Sequence, residues 1–564
     1  MSDRNTSAVT WANRLVAWRV CLTRQPGSLP SEADWRALGS EARGHAMLDG
    51  VFHLGDATVR LAGTEPSLWV LTAPSAGFEE ARQRLDWLDD LAAVSTRMAR
   101  VTAGRWLMEW DQRHRRGGGP GWTPVAASGR LYRLLALGPW VAAGDAALRT
   151  RLGRMAARDA AFLVRRYRAV PDDLARAEAV GALVLAALLL EGGRNGLASA
   201  QAALDPLCRD LVDAGGALTC RTPEALADLF VLLAGLADRL IAARQRPGPE
   251  HAAALARLGP VLRALRHADG GLARFHGGGG GDLARIDAAL AGRALGRAPR
   301  GRLVMGFARL CQGGTTVICD AAAPPAGPGR HAAPLAFELT SGRHPVIVNC
   351  GAGTGFGPDW RRVARAAPAH STLVLGDEMR PGAMAGQDQA PEPIDMRVDL
   401  TGAASLGAAH DGYAARFGLH HHRRLSLTSL GDGLNGTDRL VAETEADRRR
   451  FHDLTQSGWR GVDFALRFHL HPAVEADLPE PGGPVRLRLP NGDLWHFACQ
   501  GPCTIRLDPS VYLENTQPAP RPCQQIVLTG RAVQFVTQVT WTLAKTDATP
   551  DARRVAPMAV PAET

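Results

Sequence analysis

Lysine is almost absent from this chain of 564 residues, because Lys545 is its only lysine and the other 64 of its 65 basic residues are arginine. A phosphate-binding loop of the G-x-x-x-x-G-K-[ST] type is therefore excluded, and a catalytic lysine is not expected. The net charge of +9 rests on arginine, and no dense basic block or nucleic-acid motif accompanies it. We therefore expect no nucleic-acid partner.

Long apolar runs are also missing. The longest, Ala179–Leu190, has twelve residues, whereas a membrane-spanning helix needs about twenty. The first 30 residues lack the apolar core of a secretory signal, because polar residues interrupt Trp11–Leu22. These absences predict no membrane span and a cytoplasmic location, with the periplasm or cell envelope as the alternative.

The nine cysteines form no recognisable framework. They are scattered, their number is odd, and no C-x-x-C pair occurs. Such spacing predicts neither a disulfide scaffold nor a zinc ribbon. We therefore expect reduced thiols, as in a reducing compartment.

The chain changes character near residue 300. Before this point, apolar residues recur at helical spacing between Gly/Pro breaks, which predicts hairpinned helices that close into a ring or a solenoid. After it, short alternating runs with turns such as Asn491-Gly492 predict an antiparallel β-sandwich. We divide the chain into a lead-in at 1–44, a helical domain at 45–300, a sandwich at 301–546 and a flexible tail at 547–564.

Histidine is concentrated in the predicted β-domain. Asp377, Asp411 and Glu443 accompany these histidines, and such side chains are suitable ligands for zinc or a similar ion. No compact signature such as H-E-x-x-H is present, and a histidine taken alone is more often structural. The sequence thus allows a joint site without dictating it. The histidines are His370, His410, His420, His421, His422, His452, His469 and His471.

A set of short motifs runs through the second half of the chain and reaches back into the helical part. Over about residues 45–545, this set resembles the heparinase II/III-like proteins, particularly an alphaproteobacterial-like group that has no signal peptide. The motifs are Phe337–Gly342, Ile347–Gly351, Trp360-Arg361, Ala369–Leu373, His410–Tyr413, Phe417–Leu419, His421 with Arg423-Arg424, Gly436–Leu440, Phe464–Pro472, His267–Gly271 and Phe275–Gly277.

The resemblance implies a multidomain α+β fold, in which an N-terminal (α/α) toroid precedes a C-terminal antiparallel β-sandwich. It also implies a lyase that cleaves a uronate-containing glycan by β-elimination. Such a site must neutralise the carboxylate, remove the C5 proton and protonate the leaving oxygen. In the family, a histidine, a following aspartate and a later histidine can hold a metal. The matching residues are His370, Asp377 and His421, so one divalent metal, with zinc favoured, is the implied cofactor.

The chain departs from the family in its tyrosines. Characterised members use a toroid tyrosine as acid and base, whereas the segment Gly215–Arg221 contains none. His276, beside the glycine run at 277–281, and Tyr413, on a loop, are candidate replacements. We therefore predict His276, Tyr413 and His370 as the catalytic residues.

Two residues of the helical domain lie in a family-like context and are predicted to bind substrate. Arg130 suits a carboxylate, although a surface salt bridge explains it equally well. Trp122 could stack on a sugar. Tyr132, on the same predicted helix as Arg130, is interpreted as a core residue.

The leading functional hypothesis is a polysaccharide or oligosaccharide lyase that acts on an acidic glycan. The alternative is a non-catalytic glycan-binding or envelope-assembly protein that keeps the lyase fold, which the missing toroid tyrosine favours. A glycoside hydrolase ranks third, because it needs two facing carboxylates and helical residues such as Asp86, Asp89 and Asp90 are interpreted as a solvated face. The sequence does not indicate the oligomeric state.

Overall fold

The computed structural model describes most of the chain, and all structural statements here concern that part. Its residues form a helical toroid followed by an antiparallel β-sandwich, so the predicted fold class and domain order are confirmed. The described residues are 2–23, 25, 27–31, 39–61, 67–297, 299, 301–325, 331–376, 394–456, 461–514, 517 and 519–546.

Twelve helices precede residue 300 in the described part of the chain, and three more lie among the later strands. They are α1 (Ser2–Leu22), α2 (Glu41–Leu48), α3 (Ala76–Gln83), α4 (Asp86–Val94), α5 (Arg97–His114), α6 (Pro124–Ala142), α7 (Ala146–Arg166), α8 (Asp173–Leu189), α9 (Leu197–Leu211), α10 (Pro223–Ala242), α11 (Pro249–Ala264), α12 (Leu283–Leu290), α13 (Pro358–Ala364), α14 (Ala414–Phe417) and α15 (Glu445–Gln456).

Local sequence fixes where the toroid helices begin. The Thr123 hydroxyl accepts a hydrogen bond from the backbone N–H of Ala126, and Pro124 occupies the first turn of α6. The Asp172 carboxylate likewise caps α8 by accepting from Leu174 and Ala175. These caps set the residues at which α6 and α8 begin.

The toroid has an inner and an outer layer of helices. α4, α6, α8 and α10 contact one another in succession, and α12 packs on α10. α5, α7, α9 and α11 pack against these helices or against one another on the outside. Helix α1 joins the outer layer, because it packs on α7 and the Arg166 Nε donates to the Asn13 Oδ1 at 2.7 Å. None of the helices in the described part combines the length and apolar character that crossing a membrane requires.

The strands form one small hairpin and two large sheets. The hairpin is β1 (Val51–Leu54) with β2 (Ala57–Arg60), inside the helical domain. The other strands are β3 (Phe307–Gln312), β4 (Thr315–Asp320), β5 (Phe337–Ser341), β6 (His344–Val348), β7 (Leu373–Leu375), β8 (Met396–Thr401), β9 (Ser405–His410), β10 (His420–Leu427), β11 (Gly433–Val441), β12 (Val462–Leu470), β13 (Glu475–Asp477), β14 (Val485–Arg488), β15 (Leu494–Gln500), β16 (Cys503–Tyr512), β17 (Arg521–Ala532) and β18 (Val536–Lys545).

The two large sheets pack face to face. One has the order β13-β14-β15-β18-β11-β10-β9-β8, and the other has the order β16-β17-β12-β6-β5-β4-β3, with β7 also paired to β12. Alternation along each strand sends apolar side chains inward. Between the sheets, Trp541 stacks on Phe337 with ring centroids 5.7 Å apart and on Phe497 at 5.8 Å. The core is therefore aromatic at its centre.

Helix gives way to strand between Leu290 and Phe307. The Arg221 side chain crosses from the toroid to the sandwich and donates to the backbone carbonyls of Met305, Gly306 and Ala322. Arg221 therefore fixes the toroid against the sandwich. The same residue ends the segment Gly215–Arg221, which lacks the tyrosine that the family resemblance implies.

Candidate functional site

A cavity of about 350 Å³ opens inside the toroid, among the inner helices and α12. Its wall combines charged and hydroxyl-bearing side chains with apolar ones, among them leucines from α8 and α10. A space of this size is suited to a small ligand or to one end of a larger one. The charged and hydroxyl-bearing residues of the wall are Arg84, Asp89, Ser128, Tyr132, Arg133, Glu178, Asp228 and Arg285.

On one side of the cavity, two arginines contact three carboxylates and share one of them. The Arg133 Nε lies 2.7 Å from an Asp89 oxygen, and its Nη2 lies 2.7 Å from an Asp86 oxygen. The Arg84 Nε lies 3.4 Å from the same Asp86 oxygen, and its Nη2 lies 4.0 Å from Glu178. The positive charge on this side is therefore already balanced by carboxylates.

On the opposite side, Arg285 lies between a carboxylate and a phenol. Its Nη1 lies 3.5 Å from the Asp228 Oδ1, and its guanidinium hydrogen-bonds the Tyr132 hydroxyl. Tyr132 faces the cavity from α6 and is not solely a core residue, which corrects its interpretation from the sequence. Arg285, Asp228 and Tyr132 thus form one polar edge of the cavity.

Two carboxyls of this wall, those of Asp89 and Asp228, hold their protons more tightly than usual. Desolvation by the surrounding helices raises the pKa of Asp228 to about 7, although its side chain is 57% exposed through the cavity. Desolvation also raises the pKa of Asp89 despite the opposing charge of Arg133, and it raises the pKa of Tyr132. Asp228 therefore exchanges a proton near neutrality, whereas Tyr132 stays a protonated phenol.

His276, predicted to be catalytic, lies at the junction between toroid and sandwich. It is 2% exposed, and its Nε2 is 3.0 Å from the Asp320 Oδ2. The other Asp320 oxygen accepts from Arg221. His276 and Arg221 thus lie beside the same buried carboxylate, and the imidazole does not line the cavity.

His370, also predicted to be catalytic, belongs to the same buried cluster. Its Nε2 lies 3.1 Å from the His331 Nδ1 and 3.1 Å from the carbonyl oxygen of Ala364. The backbone N–H of His331 in turn donates to the His276 Nδ1 at 3.4 Å. The structure thus brings His276 and His370 together through His331, which the sequence analysis did not single out.

Burial dominates the electrostatics of this junction cluster. Desolvation lowers the pKa of His370 to about 4 and that of His331 well below its ordinary value. Burial alone would raise the pKa of Asp320, but Arg221 and His276 outweigh it and hold that pKa below its usual range. The two histidines are neutral at pH 7 and Asp320 is ionised, which is an arrangement for packing two domains together.

Tyr413, the other predicted catalytic residue, lies in the sandwich core. It is 8% exposed, its hydroxyl donates to the Leu373 carbonyl at 2.8 Å, and its ring lies 5.3 Å from that of His410. The hydroxyl therefore points away from the toroid cavity. This position does not support the catalytic role predicted for it.

The structure places both predicted substrate-binding residues inside the toroid wall. Arg130 has no exposed surface, and its Nε and Nη2 donate to Asp159 at 2.9 and 2.5 Å. The guanidinium also lies 4.0 Å from the centre of the Trp110 ring. Trp122 is 3% exposed and donates to the carbonyl of His114. Neither side chain reaches the cavity, because each has its partners inside the protein.

Of the predicted metal ligands, the described residues His370 and His421 both contact protein groups. Both nitrogens of His421 are engaged, with the His410 Nε2 at 3.2 Å and the Asp438 Oδ1 at 2.7 Å. No group of three or more histidine, cysteine, aspartate or glutamate side chains in the described part is arranged to hold a metal. Asp377, the third predicted ligand beside His370 and His421, lies outside the described residues, so the metal stays a prediction.

Sequence reasoning missed the polar edge of the cavity. On α10, Ala225, Asp228, Leu229 and Leu232 line the cavity at the i, i+3, i+4, i+7 spacing of one helix face. A carboxylate on an otherwise apolar inner face is the signal that would have identified Asp228. Arg285 carries no such signal, because α12 is short and follows a loop.

The sequence is similar to a known protein family and to a known protein. The model of the heparinase II/III-like C-terminal domain matches residues 296–542. FtsZ-localized protein C of Caulobacter vibrioides is 30% identical over 555 residues, which cover 94% of this chain and 92% of that protein. The chain belongs to the heparinase II/III-like family.

Solved structures of heparinase II/III-like proteins share the fold. A crystal structure of heparinase III gives a TM-score of 0.65 at 12% identity and covers 94% of this chain and 88% of its own. A heparan sulfate lyase mutant from Pedobacter heparinus gives 0.54 at 13% identity and covers 90% and 83%. At such identity the likeness concerns the toroid-plus-sandwich fold alone.

Proposed function

We propose that this heparinase II/III-like protein is a glycan-binding protein of cell-envelope assembly, which keeps the lyase fold without lyase chemistry. The observation that carries the proposal is that each arginine of the cavity wall already faces a carboxylate. Arg133 faces Asp86 and Asp89, and Arg285 faces Asp228. The cavity is therefore polar but close to balanced in charge.

β-Elimination from a uronate requires an excess of positive charge in the cavity. The sugar carboxylate must be neutralised so that charge can develop on it as the C5 proton leaves. In this cavity, Glu178 and the ionised forms of Asp89 and Asp228 would repel such a carboxylate. A wall of paired arginines and carboxylates is better suited to hydrogen-bonding sugar hydroxyls, since it offers both donors and acceptors.

The candidate bases and acids favour the same conclusion. His276 and Tyr413 are buried and hydrogen-bonded or ion-paired to protein groups. Tyr132 does face the cavity, but burial raises its pKa, which disfavours the phenolate that would remove a proton. The relative from Caulobacter vibrioides is named for its localisation with FtsZ, and we extend from that name a role at the division site.

A lyase remains the second candidate function, and the Tyr132–Arg285 hydrogen bond is the observation that favours it. A tyrosine held by an arginine inside the toroid is a plausible acid for the leaving oxygen. In this case the family's tyrosine chemistry would have moved from the segment Gly215–Arg221 to helix α6.

Calorimetric titration with a panel of glycans, alongside an ultraviolet assay for unsaturated uronate ends, separates the two candidates. The panel contains uronate-rich polysaccharides and amino-sugar fragments of the cell envelope. We expect saturable binding, weakened in Asp228→Asn, with no ultraviolet signal. The matched control is Asp238→Asn, because Asp238 lies on the same helix α10 and pairs with Arg293 outside the cavity.

An ultraviolet signal that disappears in Tyr132→Phe would establish the lyase instead. Absence of binding to every glycan would contradict both functions. Equal weakening in Asp228→Asn and Asp238→Asn would show that the cavity is not the binding site.

A further inference from the structure

A second concave surface lies on the outer face of the sandwich, away from the toroid cavity. It is an open groove of about 540 Å³ across β8, β9, β10 and β11. The inner face of the same sheet packs in the core, so the groove is formed by the side chains that alternate outward. We call it the outer groove, and its charged wall comes from Arg397, Asp399, His422, Arg424 and Arg439.

Strand register gives the outer groove a floor of small residues. On β9, Gly407 lies between Asp399 of β8 and Arg424 of β10. One pair further along, Ala409 lies between Arg397 and His422. Strands are about 4.8 Å apart, so the walls stand roughly 10 Å apart over a floor with almost no side chain. That width admits an extended chain.

Two of the groove arginines differ from the third in their ion pairing. Arg424 and Arg439 are exposed, and neither has an ion pair with another residue of the described part. Arg397 and His422 instead share Glu443, at 2.5 and 2.7 Å. Like charges on neighbouring strands destabilise a sheet. An anion bound between Arg424 and Arg439 would therefore reduce the electrostatic repulsion between the two guanidinium groups.

The spacing of the free arginines indicates the shape of that anion. His422 pairs with Arg439, and Arg424 pairs with Thr437, so Arg424 and Arg439 are diagonal neighbours. Diagonal positions are about 7–8 Å apart. In an extended peptide, side chains two residues apart are on one face and about 6.5–7 Å apart. Carboxylates at alternate positions of such a peptide therefore match the two guanidiniums.

We infer that the outer groove binds an extended acidic peptide, with carboxylates at alternate positions on Arg424 and Arg439 and its backbone over Gly407 and Ala409. Asp399 lies in the opposite wall, and its charge disfavours peptides with acidic residues on both faces. The ligand is thus a strand with acidic and uncharged residues in alternation. This site is independent of the toroid cavity and of the function proposed for it.

Fluorescence anisotropy with a labelled Glu-Ser alternating peptide tests the inference on the full chain. We expect saturable binding that weakens with salt, and roughly tenfold or greater loss in the double variant Arg424→Glu/Arg439→Glu. The matched control is Arg486→Glu/Arg488→Glu. It reverses two exposed arginines at alternate positions of β14 in the same sheet, outside the groove, and should keep the affinity.

A steric variant tests the floor without changing charge. A Cβ at Gly407 would meet only Asp399 atoms at 3.9 Å, so the backbone tolerates a side chain there. Gly407→Leu should therefore fold, block the channel and weaken peptide binding. Circular dichroism of each variant confirms that the sheet is intact.

Several results would overturn the inference. They are no binding of the alternating peptide to the wild type, equal loss in the β14 control, or unchanged affinity in Arg424→Glu/Arg439→Glu. Binding of a uronate oligosaccharide in place of the peptide, lost in the same double variant, would assign the outer groove to a glycan. Asp228→Asn changes the toroid cavity alone and should leave the affinity for the peptide unchanged. The test of the outer groove is therefore independent of the test of the toroid cavity.

Discussion

The domain junction and the toroid cavity both combine arginine with carboxylates, but the two regions use them differently. At the junction, Asp320 is 1% exposed and lies between Arg221 and His276, which lower its pKa. In the cavity, Asp228 is 57% exposed, has a weak contact to Arg285, and its pKa is raised to about 7. A buried carboxylate held by an arginine and a histidine is a structural anchor, whereas one that exchanges its proton near neutrality is available to a ligand.

The largest expected effect comes from breaking the junction. Asp320→Asn removes the charge that Arg221 and His276 share, and so leaves a buried guanidinium without its partner. We expect a loss of about 3–5 kcal/mol in the free energy of unfolding. Thermal unfolding followed by calorimetry measures it, with Asp238→Asn as the exposed-pair control, for which we expect about 1 kcal/mol or less. Equal losses would show that the junction pair is not an anchor.

A similar loss should follow from Arg130→Met, in the toroid wall. The change leaves the Asp159 carboxylate buried without its cation, so we again expect about 3–5 kcal/mol. The affinity of the folded fraction for a glycan should not change, because Arg130 does not reach the cavity. Weaker glycan binding with unchanged stability would restore the substrate-binding role predicted from the sequence.

Acid should lower the stability of the protein by protonating buried histidines at a higher pH than that at which ion-paired carboxylates are protonated. Burial lowers the pKa of His370 at the junction to about 4 and that of His469, on β12 of the adjoining sandwich, to about 3, against about 6.5 in the unfolded chain. The unfolded state therefore binds more protons below pH 6.5, and stability falls as the pH drops from about 6.5 to 4. The cost is about 1.4 kcal/mol per unit of pKa depression for each histidine.

Denaturation at a series of pH values measures this slope. His370→Asn should reduce it, because one titrating group is removed. Asp228 acts in the opposite direction, since its raised pKa favours the folded state as the pH falls below 7, but its exposure keeps that contribution small. A stability that is flat between pH 6.5 and 4 would contradict the account of the junction.

The smallest expected effect concerns the cavity. Below pH 7, Asp228 is protonated and donates a hydrogen bond to a sugar oxygen, whereas above pH 7 it only accepts. We expect glycan affinity to change by up to roughly tenfold across pH 7, the value of one hydrogen bond to a polar partner. Titrations at pH 6 and pH 8 in the wild type and in Asp228→Asn test this, and an identical pH dependence in the two proteins would rule Asp228 out.

The sequence predicted the order of the two domains because their apolar periods differ. The helical stretch around Leu183–Leu189 and the strand at Phe464–Leu470 carry patterns that local structure follows closely. It also singled out His276 and His370, which the structure joins in one cluster through His331.

The sequence did not predict which polar side chains face the toroid interior. Arg130 and Arg133 lie three residues apart on α6, yet the first is buried in the wall and the second lines the cavity. That difference depends on how α6 is rotated against α4, α7 and α8, which only tertiary packing fixes. Arg424 and Arg439 likewise become neighbours only through the register of β10 with β11.

Mass spectrometry of a bound glycan tests the central claim most directly. The glycan that binds the wild-type protein is incubated with it to completion and then recovered, with Tyr132→Phe and Asp228→Asn in parallel. A glycan that keeps its full length, although it binds the cavity, is the result that the proposal predicts. Shortened chains with unsaturated ends would show elimination, and shortened chains that have gained water would show hydrolysis. Either product, if lost in the cavity variants, would contradict a binding-only role for the toroid.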